Sequence, residues 1–231
     1  FRQVVQGCVD SYNFFDILSS DKPDLVYVFG NGTACVSSYQ SLRLYKNQKV
    51  VVNSGCASMG YDLPAAIGAC FANGKGNTIC VTGEGSLQMN IQELQTIIHN
   101  KLPIKIFVLN NAGYISIRNT QNNFFKGHKV GSDKDSGVSF PNIVKLAEVY
   151  GFKACRIENQ LNLKGELEEI LSKPGAVVCE IMLSPTEKME PKLSSKIKPD
   201  GKMVSKPLED MFPFLPREEF YKNMIIKPVD E

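Results

Sequence analysis

Several features are scarce in this sequence of 231 residues, and each scarcity excludes a class of protein. The 26 basic residues are nearly balanced by 24 acidic ones, and no basic block stands out, so we expect no nucleic-acid partner. No apolar run approaches the roughly 18 residues that a membrane-spanning helix needs, so we expect no membrane span. The length is sufficient for one full hydrophobic core.

The sequence also lacks the cysteine and histidine spacings that are typical of zinc sites. The seven cysteines form no Cys-x-x-Cys pair and no cluster with histidine, and the chain is too long for a small disulfide scaffold. Four of them, Cys70, Cys80, Cys155 and Cys179, stand among apolar residues. We therefore expect buried, reduced thiols in a cytoplasmic protein.

Short apolar runs alternate with amphipathic stretches along most of the chain. Six of these runs predict buried strands, at residues 25–29, 49–52, 78–82, 104–109, 152–157 and 176–182. After the third run, Leu87, Ile91, Leu94 and Ile98 fall on one helical face, which predicts a continuous helix opened by Ser86. Strands alternating with helices predict an α/β fold, a doubly wound parallel sheet of about six strands with helices on both faces.

The composition changes at Ser184, where a Lys- and Pro-rich segment begins and leads to Met-Phe-Pro-Phe-Leu at residues 211–215. This pattern predicts one domain over residues 1–183. Residues 184–231 would form a carboxyl-terminal tail that packs on it through a few aromatic side chains.

Three of the predicted strands end in glycine or amide clusters. Their sequences are Gly-Asn-Gly-Thr at 30–33, Gly-Glu-Gly-Ser at 83–86 and Asn-Asn-Ala-Gly at 110–113. Ligands of open parallel sheets bind at the carboxyl ends of strands, and a helix that begins at once directs free N–H groups toward an anion. This geometry predicts a phosphate site at Gly85 and Ser86, although each cluster taken singly could equally be a simple turn.

The second and third clusters together also offer metal ligands. Glu84 has a carboxylate, Asn111 a side-chain carbonyl and Gly113 a main-chain carbonyl, all of them hard oxygen ligands. Two diphosphate oxygens and one water would complete the octahedron that Mg²⁺ requires.

The first cluster permits a different interpretation. Residues 30–35, Gly-Asn-Gly-Thr-Ala-Cys, approach the dinucleotide fingerprint G-x-G-x-x-G. Cys35 stands where helix packing requires the third glycine, and Asn53 stands where an acid would bind the ribose. An NAD-dependent dehydrogenase is therefore a disfavoured alternative.

Gly-Glu-Gly at 83–85, followed after 24 residues by Asn-Asn at 110–111, resembles the motif of thiamine-diphosphate-dependent enzymes. Residues 58–68, 81–96 and 102–111 resemble the acetolactate synthase branch of that family. The resemblance runs from about residue 10 to about residue 183 and covers one domain type, the diphosphate-binding (PP) domain. It implies that residues 1–183 form this PP domain.

The resemblance also implies roles for single residues. Glu84, Asn111 and the carbonyl of Gly113 would hold Mg²⁺. Met59 would lie beneath the thiazolium and keep thiamine diphosphate bent, and the carbonyl of Ala57 would accept from its 4′-amino group. The full set implied to bind the cofactor is Asn31, Gly32, Thr33, Ala34, Ala57, Ser58, Met59, Gly83, Gly85, Ser86, Asn111, Gly113, Tyr114 and Ile115.

The function implied is that of a 2-oxoacid carboligase or decarboxylase that depends on thiamine diphosphate and Mg²⁺. In the family, the glutamate that activates the cofactor lies in a pyrimidine-binding domain, which this sequence lacks. We therefore expect no catalytic residue in this chain and no activity from it alone. Since it begins with Phe1, we expect a piece of a longer chain rather than a split-enzyme subunit. The middle domain that could carry FAD is also absent, and a homodimer or homotetramer is implied.

Two residues depart from the family pattern. Glu84 replaces the usual aspartate, which predicts altered metal binding and sustains the alternative of a non-catalytic subunit with a degenerate cofactor domain. Thr120 replaces the tryptophan that selects the substrate in acetolactate synthases, which favours a larger or more polar acceptor. Arg118 and Gln121 could meet a substrate carboxylate or form surface ion pairs, and residues 190–228 could form a lid over the cofactor.

Overall fold

The structure is a computed structural model that describes residues 7–19, 22–193, 195–197 and 201–228. The described chain forms two compact units, which divide between Glu187 and Lys188. Of the predicted PP domain, residues 1–6 and 20–21 lie outside the described residues, as do residues 194, 198–200 and 229–231 of the predicted tail. None of the helices in the described ranges combines the length and apolar character that a membrane span requires.

The first unit is built on a six-stranded sheet with the order β2-β1-β3-β4-β6-β5. All five strand pairs are parallel. The strands are β1 Val26–Phe29, β2 Lys49–Val52, β3 Thr78–Gly83, β4 Ile104–Asn110, β5 Lys153–Ile157 and β6 Val177–Met182. The predicted fold class is confirmed, because apolar runs of this kind are buried on both faces of a parallel sheet.

Eight α-helices accompany this sheet in the described part of the first unit. They are α1 Ser11–Leu18, α2 Thr33–Ser41, α3 Asp62–Ala72, α4 Glu84–Met89, α5 Glu93–His99, α6 Ile115–Phe124, α7 Ile143–Val149 and α8 Leu163–Ser172. Two hydrophobic clusters cover the two faces, one including α1 and α8 and the other including α3, α5 and α7. Along β3, Ile79 and Val81 belong to the first cluster and Cys80 to the second, as alternation in a strand requires.

The single helix predicted from Ser86 is wrong, because the structure contains two helices there, α4 and α5. Asn90 leaves the helical conformation, with φ at −136°. Its side-chain Nδ2 donates to the carbonyl of Gly60 at 2.6 Å, a tertiary contact that replaces helix continuity. Leu87 and Leu94 are nonetheless both buried, so the periodicity identified the buried face correctly.

The second unit contains an antiparallel pair, β7 Ser195–Ile197 and β8 Met203–Ser205, and the helix α9 Arg217–Asn223. Asp210 accepts hydrogen bonds from Arg217 and from Lys206, and the Arg217 guanidinium also lies over the ring of Phe220. Within the predicted tail, these contacts belong to a small folded unit. Its proposed role as a lid stays a prediction.

The strand order determines where a ligand can bind. β1 and β3 are neighbours, yet the chain passes through β2 on one side before it continues to β3 and β4 on the other. At such a reversal the loops after the two strands diverge and leave a crevice at the carboxyl edge of the sheet. The glycine clusters at 30–33 and 83–86 follow these two strands.

Candidate functional site

A cavity of about 290 Å³ lies at the carboxyl ends of β1, β3 and β4. Nearly all the site residues expected from the sequence line it, namely Asn31, Gly32, Thr33, Ala34, Ala57, Met59, Gly83, Glu84, Gly85, Ser86, Asn111, Gly113, Tyr114 and Ile115. Ser58 does not line the cavity, but its main-chain carbonyl accepts from the Asn31 side chain at 2.5 Å. The structure thus brings together residues from four separate parts of the chain.

The cavity is also lined by three residues that the sequence analysis did not single out: Leu109, Ser116 and Ile117. Leu109 precedes the Asn-Asn pair at the end of β4, and the other two lie in the first turn of α6. Their only sequence signal was proximity to the expected site residues, since Leu109 precedes Asn110, and Ser116 and Ile117 directly follow Ile115.

The N-termini of α2, α4 and α6 all border this cavity. Their N-cap residues are Gly32, Gly83 and Tyr114, and none of the three caps its helix with a side-chain hydrogen bond. The first N–H groups of a helix have no partner within it, and together they attract negative charge. The cavity wall is therefore suited to an anion such as a diphosphate.

Two alanines beside the cavity adopt backbone conformations that residues with a Cβ atom rarely adopt. The φ angle is 50° at Ala57 and 58° at Ala112. The Ala57 N–H is held by the carbonyl of Asn53 at 2.8 Å. Such strain persists only where the surrounding structure enforces it, and it occurs preferentially at ligand sites.

Glu84 is held rigidly in the cavity wall. Its Oε1 accepts hydrogen bonds from the main-chain N–H groups of Gly113 at 2.9 Å and Asn111 at 3.2 Å. The residue is 2% exposed, and burial raises the pKa of its carboxyl to about 7 although these N–H groups oppose the shift. A cation bound beside the carboxylate would offset the cost of burying its charge.

Asn111 presents an oxygen atom without a protein partner. Its Nδ2 donates to Thr33 Oγ1 at 3.4 Å, whereas its Oδ1 is buried and has no hydrogen-bond partner among the described residues. A buried polar atom without a partner is costly, so this oxygen indicates a missing ligand. Together with the Glu84 carboxylate it offers hard oxygen ligands of the kind that Mg²⁺ prefers.

A metal ion at this site could not rely on side-chain acids alone. Within the described ranges there is no group of three or more His, Cys, Asp or Glu residues that could hold one. The available donors are one carboxylate, one side-chain amide and main-chain carbonyls. This donor set fits Mg²⁺ only if the bound anion and water supply the remaining ligands.

Arg118 is placed differently from the sequence expectation. It is 5% exposed, and its guanidinium donates to four main-chain carbonyls. The acceptors are Asn111 and Ala112, both at 2.8 Å, Pro185 at 2.9 Å and Ser132 at 3.4 Å. Arg118 does not line the cavity and forms no ion pair among the residues that the structure describes, so both expectations are wrong. Arg118 instead holds the loop that follows β4.

The other α6 residues proposed from the sequence do not line the cavity. Thr120 is exposed, and its hydroxyl donates to the carbonyl of Ser116 at 3.0 Å. Gln121 donates from Nε2 to the carbonyl of Val130 at 2.8 Å. The cavity-facing positions of this helix are therefore in its first turn.

Asp62, which the sequence analysis did not single out, is a buried acid behind the site. It is fully buried at the start of α3, and its carboxylate fills the space in which Gly30 would carry a side chain. Burial raises the pKa of Asp62, and the hydroxyls of Thr82 and Ser86 oppose that shift. The only sequence signal was an acid beside the apolar run 63–71.

The two glycines flanking Glu84 have different roles. A Cβ atom on Gly85 would collide with the ring of Tyr114, so this glycine permits packing within the protein. A Cβ atom on Gly83 would meet no protein atom within 4 Å. The open side at Gly83 is therefore the place where a ligand can approach the main chain closely.

This chain is similar to known proteins of one family. The family model described as "Thiamine pyrophosphate enzyme, C-terminal TPP binding domain" matches residues 30–181. The acetolactate synthase large subunit of Cyanidium caldarium is 38% identical over 146 residues, which cover 63% of this chain and 25% of that protein. Acetolactate synthase isozyme 1 large subunit of Escherichia coli (strain K12) is 30% identical over 152 residues, covering 66% and 26%. The mitochondrial acetolactate synthase of Schizosaccharomyces pombe is 34% identical over 149 residues, covering 64% and 22%. The chain thus spans about a quarter of the length of these relatives.

Proposed function

Because the chain belongs to the thiamine pyrophosphate enzymes through their C-terminal TPP-binding domain, we propose that it forms the diphosphate-binding part of a carboligase or decarboxylase. The enzyme would act on a 2-oxoacid and depend on thiamine diphosphate and Mg²⁺. The relatives named acetolactate synthase support this assignment by their similarity to the chain.

The observation that carries the proposal is the unpartnered Asn111 Oδ1 beside the buried Glu84 carboxylate. Glu84, Asn111 and the carbonyl of Gly113 would hold Mg²⁺. The N–H groups at the starts of α2, α4 and α6 would bind the diphosphate, and Asn31, Thr33 and Ser86 would contact it. Mg²⁺ would then balance the charge of the Glu84 carboxylate, and the helix N–H groups would stabilise the charge of the diphosphate, within one cavity.

When bound, thiamine diphosphate supplies the electron sink that stabilises the negative charge left by decarboxylation. This chain's own residues orient the cofactor and exclude water. Met59 and Leu109 form apolar parts of the cavity wall, and the strained Ala57 would offer its carbonyl to the aminopyrimidine. Ile117 lines the cavity yet is 44% exposed, so it stands where an acceptor substrate could enter.

Activity would require groups beyond this chain. We propose that the acid activating the cofactor is contributed by a pyrimidine-binding domain of the same or another chain, in a homodimer or homotetramer. FAD could be carried by a middle domain. A cytoplasmic location stays a prediction, since the relative from Schizosaccharomyces pombe is named as mitochondrial.

The test is product analysis on the full-length protein with pyruvate, thiamine diphosphate and Mg²⁺. Formation of acetolactate supports the proposal in its specific form. If the cofactor binds but pyruvate is not consumed, the assignment of the cofactor site stands, and the donor or acceptor substrate is a different one. Asn111→Ala should abolish Mg²⁺-dependent cofactor binding, measured by calorimetry, and unaltered binding would contradict the assigned metal site.

A non-catalytic subunit is the second candidate, because Glu84 stands where the family usually has aspartate. A longer acid changes the distance between the main chain and a bound metal. This alternative predicts that the full-length protein binds no thiamine diphosphate at millimolar Mg²⁺. Saturable cofactor binding together with product formation would exclude it.

A further inference from the structure

A second cavity, of about 260 Å³, lies at the amino edge of the sheet, opposite the edge described above. It is bordered by the starts of β3 and β4 and by the turn at residues 171–175 that leads from α8 to β6. Three lysines line it, Lys22, Lys105 and Lys173, and no acidic side chain is among the described residues that line it. Leu25 and Ile79 contribute an apolar wall.

Lys105 is the central feature of this cavity, because a lysine is rarely buried in a parallel sheet. It is the second residue of β4 and is 7% exposed. Its ammonium donates to the carbonyls of Lys173 and Gly175. Among the described residues no carboxylate lies within 4.0 Å of it, so its two protein partners carry only partial charge.

The surrounding charges increase the positive potential at this point. Lys153, Lys22 and Lys173 lie close enough to lower the pKa of Lys105 further, after the larger effect of its burial. Lys173 is itself paired with Glu169 at 2.8 Å, and the Glu169 side chain is 68% exposed. A buried cation among like charges is unfavourable unless an anion neutralises it.

We propose that this cavity binds a small ligand bearing an oxyanion, a carboxylate or a phosphate, with the Lys105 ammonium as its principal partner. Two of the three ammonium protons of Lys105 bind main-chain carbonyls, which leaves one for the anion. Lys173 approaches from the solvent side, since its side chain is 34% exposed. The apolar wall would accommodate a short aliphatic group. The site is independent of the proposed reaction at the other edge of the sheet.

The test is calorimetric titration of the full-length protein with inorganic phosphate and, separately, with propionate, a short carboxylate that lacks the 2-oxo group of the proposed substrate. Sodium chloride at equal ionic strength serves as the reference. Mg²⁺ and thiamine diphosphate are present in excess, so that the carboxyl-edge cavity does not contribute. Binding of phosphate alone, of propionate alone or of both would support the proposal and identify the anion. The absence of binding by either at about 10 mM would overturn it.

Substitutions locate the binding. Lys105→Met should weaken it on the order of tenfold or more, because a charge-assisted hydrogen bond is lost. Lys173→Met should weaken it about threefold, and this variant tests the proposal even where Lys105→Met fails to fold. Lys164→Met is the matched control: it removes the same charge from α8, where its side chain is 76% exposed. Equal affinity in both cavity variants and the control would contradict the site.

Discussion

The Oε1 atom of Glu84 accepts a hydrogen bond from the main-chain N–H of Gly113 at 2.9 Å, although 29 residues separate them in the sequence. The proposed metal ligands thus position one another before any metal is bound. The carboxylate lies at the start of α4, and the N–H belongs to the loop after β4. This arrangement can therefore be tested by changing the length of the acidic side chain at position 84.

Substitution of Glu84 should alter metal binding in a graded way. Glu84→Gln loses the negative charge and should weaken Mg²⁺-dependent binding of thiamine diphosphate by at least about tenfold. Glu84→Asp is shorter by one methylene and cannot retain both main-chain hydrogen bonds and the same metal position, so its Mg²⁺ affinity should differ from that of the wild type. Mg²⁺ titrations measure both effects, with exposed Glu158→Gln as control. Identical affinities in wild type and Glu84→Asp would refute the role given to side-chain length.

Alanine substitutions of Gly83 and Gly85, the two glycines beside Glu84, should have different effects: one should lower cofactor affinity and the other stability. Gly85→Ala should lower the free energy of unfolding by about 1–3 kcal/mol, because its Cβ would collide with the Tyr114 ring. Gly83→Ala should leave the free energy of unfolding within about 0.5 kcal/mol of the wild-type value, because the backbone at Gly83 is extended and a Cβ atom there would meet no protein atom. It should nevertheless reduce cofactor affinity about tenfold by blocking close approach.

Urea denaturation and calorimetry distinguish these two effects. The double substitution Gly85→Ala with Tyr114→Leu should recover part of the lost stability, because the smaller side chain leaves room for the methyl group. The interpretation fails if Gly83→Ala is the destabilised variant and Gly85→Ala binds the cofactor less tightly at unchanged stability.

Removal of the Arg118 guanidinium should destabilise the protein. Arg118→Met leaves buried carbonyls without donors and should lower the free energy of unfolding by about 2–4 kcal/mol. Arg118→Lys should be intermediate, since an ammonium cannot reproduce the planar set of donors. Arg43→Met, at an exposed arginine paired with Asp16, is the control and should change stability by under about 1 kcal/mol. Similar losses in Arg118→Met and the control would show that the four carbonyl contacts contribute little.

The buried Asp62 should make stability depend on pH. Burial raises its folded pKa above the ordinary value of about 3.9. Below that value the carboxyl is protonated in both states and carries no penalty. As the pH rises through the folded pKa, the native state must hold a buried carboxylate, so the stability associated with the protonated form is lost.

Asp62→Asn removes this dependence. Its stability relative to the wild type should therefore be greater at about pH 8 than at about pH 5, measured by urea unfolding at both values. Asp24→Asn provides the control, because Asp24 is exposed and asparagine readily adopts its φ of 58°. A relative stability of Asp62→Asn that does not change with pH would argue against the buried charge.

At α4 and α6 the structure departs from what the local sequence indicates. Periodicity correctly predicted that Leu87 and Leu94 are buried, yet it joined two helices, because the contact between Asn90 and Gly60 has no local signature. Likewise, nothing near Arg118 indicates that it turns inward. One of its acceptors, the carbonyl of Pro185, lies 67 residues away.

The sequence by itself determined the six parallel strands and the loops that form the carboxyl-edge cavity, because apolar runs and glycine clusters are local patterns that directly encode burial and turns. Only the tertiary structure decided that Gly85 packs on Tyr114, that Asp62 lies buried behind Gly30 and that Lys105 faces a cavity at the opposite edge. Each of these relationships joins segments that are distant in the chain. They become neighbours through the order of the strands, which no local pattern records.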